Sequence, residues 1–247
     1  MVTATDVLQV MEAMAPPSLA IEKDNVGLLV NSGKMAQNIL VTLDITTEVV
    51  QEAIEKECGL IVSHHPVIYR PLKSVSANTV VYELVKNDIS AICMHTNLDI
   101  AEGGVSDALA GQLKLQDISI FSEVGRVGIL PQETTTEVLA KWCKKEWETN
   151  IAYCDAGKPV KKVAVVGGAG GDLFEEALLA GADLLLTGEV GHHNAIDAKM
   201  LGLSTISATH FGTEFFIVPV VAQKLQEAFP NINVCITEKN KEPFCYL

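Results

Sequence analysis

One arrangement recurs along this chain: strand, helix, strand ending in histidine, helix, strand ending in histidine. The first copy runs through "NILVTLDI" (38–45), "TTEVVQEAIEKE" (46–57), "GLIVSHH" (59–65), "NTVVYELVKND" (78–88) and "ISAICMHTN" (89–97). The second runs through "KKVAVVGG" (161–168), "DLFEEALLAG" (172–181), "ADLLLTGEVGHH" (182–193), "NAIDAKMLG" (194–202) and "STISATH" (204–210). The strands are unbroken apolar runs and the helices are amphipathic, which predicts mainly parallel sheets flanked by helices. The reading is therefore an α/β protein of two pseudo-repeated lobes, 1–115 and 161–247, joined by a less regular segment, 116–160. Two such lobes facing one another would bring their strand-end residues into one cleft.

Single helices are predicted elsewhere. "TATDVLQVMEAM" (3–14) opens on a capping box, Thr3 with Asp6, and stops before Pro16 and Pro17. "SDALAGQL" (106–113), "TTTEVLAKWCKKEWE" (134–148) and "TEFFIVPVVAQKLQEAF" (213–229) also read as helices, and "INVCITE" (232–238) as a last strand.

Composition excludes several classes. The net charge of −13 argues against a general nucleic-acid binder, which needs a basic face to displace counterions. No apolar run approaches the ~18 residues that span a bilayer, and the N-terminus lacks the basic start of a signal peptide. The six cysteines include no Cys-x-x-Cys, so free thiols in a reducing cytoplasm are expected. The glycine-rich "VVGGAGGD" (165–172) has neither dinucleotide nor P-loop spacing and reads as a tight strand–helix turn. No nucleophile-elbow or zincin motif occurs.

The histidines carry the chemistry. All six (His64, His65, His95, His192, His193, His210) fall at expected carboxyl ends of strands, the edge where open α/β sheets bind ligands. Neighbours on an extended chain point to opposite sides, so His64 and His65 suit one ion each of a close pair. Two-metal hydrolytic sites have ions ~3.5–4 Å apart. In both copies a carboxylate follows a histidine by four residues: Asp99 after His95, and Glu214 after His210. At a helix start that spacing places both on one face.

Five motifs then give a resemblance over nearly the whole chain: "DNVGLLV" (24–30), "SHHPVIYRPLKS" (63–74), "HTNLDIAEGGVSDALA" (95–110), "LLTGEVGHHNAIDA" (185–198) and "ATHFGTE" (208–214). The sequence resembles the NIF-three-like proteins, also named GTP cyclohydrolase 1 type 2 homologues. The resemblance implies two divalent metals between two α/β lobes and a homo-oligomer, often a hexameric ring. It implies that His64, Asp99 and Glu214 hold one ion, and His65, His210 and Glu214 the other. Lys23 stands where the family usually has Trp, "GGAGGD" replaces a serine-containing turn, and an insert found in some relatives is absent.

Three histidines and two carboxylates form a mixed N/O set suited to Zn, Fe, Mn, Co or Ni. His95 and His193 are the expected proton-transfer groups, and Glu189 and His192 rim the second lobe. Arg70 and Lys73 follow the histidine pair and could hold a phosphate tail of a small-molecule substrate; a solvated basic surface is the plainer reading. Asp24 and Asn25 read as turn residues. Two functions are consistent with this sequence. One is a metal-dependent hydrolase of a nucleotide-like substrate, for which the family name implies opening of the guanine ring of GTP. The other is a non-catalytic metal-binding scaffold acting as a ring.

Overall fold

A computed structural model describes all residues, 1–247, and divides the chain into two compact lobes. The first comprises 1–102 and 217–241, the second 103–216 and 242–247.

In the first lobe the elements are α1 (Ala4–Met14), β1 (Gly27–Val30), β2 (Asn38–Thr42), α2 (Thr47–Glu55), β3 (Cys58–Ser63), α3 (Val80–Lys86), β4 (Ser90–Cys93) and α4 (Thr96–Ile100). The expected capping box of α1 forms: Thr3 Oγ1 accepts from Asp6 N at 3.2 Å, and Asp6 Oδ2 accepts from Thr3 N at 2.8 Å. Thr46 and Thr79 cap α2 and α3 by the side-chain bond alone, accepting from Val49 N and Tyr82 N. With β11 (Asn233–Ile236) from near the C-terminus, the sheet order is β1-β4-β3-β2-β11, parallel except for β1. Leu40, Ile61 and Ala91 from successive strands pack with Val49, Ala53 and Leu84 of the covering helices, all with almost no exposure.

The second lobe contains α5 (Val105–Gln112), β5 (Gln116–Phe121), β6 (Gly125–Thr134), α6 (Thr136–Glu146), β7 (Ala152–Cys154), β8 (Val160–Val166), α7 (Phe174–Leu179), β9 (Leu184–Thr187), α8 (His192–Met200), β10 (Ser204–Ser207) and α9 (His210–Glu214). Its order is β5-β6-β8-β9-β10-β7, with a parallel centre, β8-β9-β10, and antiparallel strands outside. The repeat is thus three consecutive parallel strands, β2-β3-β4 and β8-β9-β10. In both copies an antiparallel strand, β1 or β7, lies beyond the third.

Three sequence expectations change. The segment 116–160 is not a mere connection, since it supplies β5, β6, α6 and β7 of the second lobe. The helix expected over 213–229 is two, α9 and α10 (Ile217–Ala228), and α10 with β11 (Asn233–Ile236) belongs to the first lobe. Pro219 is tolerated because it sits in the first turn of α10, where its missing N–H costs no helical bond. The strand expected to end in His192 and His193 stops at Thr187. Gly188 and Gly191 break the run, and the two histidines open α8 instead.

Candidate metal centre

In the first lobe, β3 and β4 end side by side, with Ser63 paired to Cys93. The chain beyond β3 gives His64 and His65, and the chain beyond β4 gives His95. Backbone bonds from His64 N to Thr42 O (3.3 Å) and from His65 N to Leu43 O (2.9 Å) extend the parallel pairing and fix where both rings begin. His64 is buried, while His65 and His95 are half-buried. The ring centroids lie 4.9 Å (64–65), 5.3 Å (64–95) and 5.6 Å (65–95) apart. Asp99 comes off α4, one turn beyond His95, with Oδ1 3.5 Å from His64 Nε2.

Each ring is held from behind through Nδ1. His64 Nδ1 meets Met94 O at 2.8 Å, His65 Nδ1 meets Asp44 Oδ1 at 2.7 Å, and His95 Nδ1 meets Asp24 Oδ1 at 2.9 Å. A ring that donates at Nδ1 offers Nε2 as the basic nitrogen, the tautomer lock usual behind metal-binding histidines. The holding carboxylates are themselves fixed. Asp24 also accepts from Thr96 N (3.1 Å) and Thr96 Oγ1 (2.5 Å). Burial opposes ionisation of Asp24, but the bonds from His95 and Thr96 outweigh it and leave its carboxyl below the usual value. Asp44 is gripped by Asn240, whose Nδ2 donates to Asp44 Oδ2 at 3.1 Å while its Oδ1 accepts from Asp44 N at 2.8 Å.

The second lobe repeats the design one strand over. Beyond β10, His210 begins α9 and Glu214 ends it, with His210 Nε2 3.1 Å from Glu214 Oε1. Glu189, in the turn after β9, holds His210 Nδ1 at 2.8 Å. Thr209, just before His210, has φ +60° and ψ 152°, a strained conformation for a β-branched residue. It is kept there by Gly212 N, which donates to its Oγ1 at 3.0 Å, and by Thr213 Oγ1, which donates to its carbonyl.

The glycine-rich turn after β8 packs against this pair. Gly168 has φ +63°, and a Cβ there would stand 3.0 Å from His210 Nε2 and closer still to Glu214 Oε1. Its N–H is bonded to Thr213 Oγ1, and its carbonyl accepts from Gly188 N and Glu189 N. The turn is thus tight, as expected, and its bareness makes room for the His210–Glu214 pair. The donor set fits a borderline divalent ion: imidazoles with anchored Nδ1, plus a buried carboxylate.

The structure brings together His64, His65, His95 and Asp99 in the first lobe, and His210 and Glu214 in the second. His193 is exposed at the start of α8, its ring beside His192 at 5.3 Å. Arg70 and Lys73 lie exposed in the irregular stretch before α3. Tyr69, from that stretch, sets its ring edge-on to His95 at 6.4 Å. Asp24, Asp44 and Asn240 were not singled out by sequence as site residues, and Glu189 only as a rim residue. No local pattern marks them, because Asp24 and Asp44 meet their histidines from 71 and 21 residues away. All six cysteines are free; burial pushes the Cys58 and Cys143 thiols up to about 12. No helix is long and apolar enough to cross a membrane.

The fold and these side chains define a two-lobed α/β protein whose strand-end histidines and carboxylates form groups that could hold metal ions. The sequence model described as Duf34/NIF3 (NGG1p interacting factor 3) matches residues 2–243, and the chain belongs to that family. It is 32% identical to a "GTP cyclohydrolase 1 type 2 homolog" of Clostridium acetobutylicum, with 97% of each chain covered. Among solved structures it is similar to a Staphylococcus aureus hypothetical protein (28% identity, TM-score 0.93, 99% of each chain). It is also similar to reduced HcgD from Methanocaldococcus jannaschii (30% identity, TM-score 0.81, 96% of this chain and 98% of the other).

Proposed function

We propose that this protein is a dinuclear metal-dependent hydrolase acting on a nucleotide-like substrate. His64, Asp99 and Glu214 hold one divalent ion in this reading; His65, His210 and Glu214 hold the other. The observation that carries it is the backing of the rings: His64, His65 and His210 each have Nδ1 against a carbonyl or carboxylate, which directs Nε2 to a ligand. When bound, such ions supply Lewis acidity, acidifying water and offsetting negative charge on the attacked group.

The chain's own residues do the rest. His95, with its Nδ1 proton held by Asp24, takes a proton from water at Nε2 and returns it to the leaving group. His193 is the second candidate for that role. Arg70 and Lys73 offer charge to a phosphate on the substrate. The name shared by relatives makes guanine ring opening of GTP the first reaction to try.

The test is a turnover screen of metal-loaded protein against GTP, other nucleotides, phosphoesters and cyclic amides. Turnover lost in His95→Asn at unchanged metal content supports the hydrolase. No turnover of any class leaves a metal-binding scaffold.

A further inference from the structure

Three of the histidines belong to one lobe and need nothing from the other to meet. His64, His65 and His95 each offer a nitrogen within 4.8 Å of the other two. Their Nδ1 atoms are engaged separately, on Met94 O, Asp44 and Asp24. All three rings are therefore fixed in the tautomer that presents Nε2. Three imidazole nitrogens form the donor set of a mononuclear site such as a His₃ zinc, and Asp99 Oδ1 of the same lobe, 3.5 Å from His64 Nε2, stands beside it. Bonds of ~2.05 Å would set the nitrogens about 3.3 Å apart around a tetrahedral ion. Binding would draw them to that spacing from the present one, which is within 4.8 Å. Two carboxylates directly behind the rings, Asp44 and Asp24, favour a cation among them.

A structural cluster of imidazoles would need no such backing. A packed histidine has one donor and one acceptor nitrogen and can turn either toward a given neighbour. Here three rings on two different strand ends all spend Nδ1 on a partner outside the trio.

We propose that His64, His65 and His95 bind one transition-metal ion by themselves, with no ligand from the second lobe, His95 being a metal ligand in that state. This rests on the metal-binding reading above and adds to it. It names an order of loading, in which the first lobe takes an ion before His210 and Glu214 contribute. It also gives His95 a second duty, left behind once the two-ion centre is complete.

The test uses the full chain with the second-lobe donors removed, as His210→Ala/Glu214→Gln, titrated with Co(II) alone. The expected result is one ion per chain with the strong visible bands of low-coordinate cobalt. Adding His95→Ala should remove the bands and weaken binding at least 100-fold. Adding Asp24→Asn instead should weaken it about 10–100-fold, the usual cost of losing a carboxylate behind a ligand. Folded variant that binds no cobalt, or binds it regardless of His95, overturns the proposal.

Zn(II) titration of the unaltered chain, followed by imidazole NMR, covers the case in which the variant fails to fold. The first equivalent should shift His64, His65 and His95 together; a first equivalent that shifts His210 and leaves His95 still overturns the proposal. The two readings separate cleanly. If the unaltered chain takes two ions and the folded variant none, the dinuclear centre stands and the three-histidine site falls. If both take one His95-dependent ion, the reverse holds.

Discussion

Asp24 Oδ1 lies 2.9 Å from His95 Nδ1, although 71 residues separate them in sequence. Its other oxygen caps the start of α4 through Thr96. One carboxylate thus orients a site histidine and anchors the helix that carries Asp99. Asp24→Ala should leave the Thr96 amide and hydroxyl without their acceptor. The expected loss is about 1–3 kcal/mol of stability, as for other buried polar groups left unsatisfied. Asp24→Asn should cost less, because its side-chain oxygen still accepts from Thr96, yet it should release the His95 tautomer. Thermal denaturation reads the first effect and ¹⁵N NMR of the imidazoles reads the second. Unchanged His95 nitrogen shifts in Asp24→Asn would show that the pair does not fix the ring.

Gly168 gives a prediction for the second lobe. Its positive φ and the nearness of Glu214 and His210 act together. Gly168→Ala should lower stability by at least about 1 kcal/mol, because alanine is strained at φ > 0. It should also push Glu214 aside and reduce metal uptake. Gly181 has φ +76° with only a lysine amine near its missing Cβ, so Gly181→Ala serves as the control with strain alone. A stability loss in both, larger in Gly168→Ala, with metal uptake lowered only there, is the expected pattern by calorimetry and elemental analysis.

The Glu52 carboxylate holds the loop after β11. It accepts from Thr237 Oγ1 (2.5 Å), Glu238 N (2.8 Å) and Lys56 Nζ (2.7 Å). Burial works against its ionisation, and those bonds more than offset it, so its pKa is lowered. A carboxyl with a depressed folded-state pKa stabilises the fold above its unfolded value, about 4.3. That contribution fades as pH falls through the folded-state value. Glu52→Gln should therefore lower Tm at pH 7, and the gap to the unaltered protein should narrow as pH drops below 4. A gap independent of pH would mean the ionised form contributes nothing special.

What the sequence revealed follows from what is local. The periods of apolar residues marked the parallel strands of both copies, and the i, i+4 spacing of His210 and Glu214 marked a pair that does meet at one helix. Adjacent histidines after a strand pointed to the ligand edge, and His64 and His65 lie there. Strand pairing is not local. Nothing in "INVCITE" says that β11 will pair with β2, nearly two hundred residues back. The carboxylates behind the rings are hidden for the same reason. Asp24 sits in a stretch that reads as a turn, and Asp44 ends an apolar run. "LLLTGEVGHH" shows the opposite failure: its apolar start led the expected strand past Gly188, where a Cβ would strike the His210 Cα and the Thr209 carbonyl. The turn at Gly188 lets Glu189, and not a histidine, reach the place beside β10 from which it holds His210.

Glu214 gives the sharpest stoichiometric prediction. It is buried, and its Oε1 lies 3.1 Å from His210 Nε2. In the proposed centre it is the one residue shared by both ions. In the proposed first-lobe site the three histidines hold a single ion without it. Elemental analysis of protein made with ample metal should therefore find close to two ions per chain in the unaltered protein. Glu214→Gln, which keeps the shape and removes the charge, should give close to one. Adding His95→Ala to Glu214→Gln should take the content well below one, while His95→Ala alone should leave it near two. Full loading in Glu214→Gln would rule out its shared role. Complete loss in Glu214→Gln would preserve that role and show that the first lobe cannot hold an ion unaided.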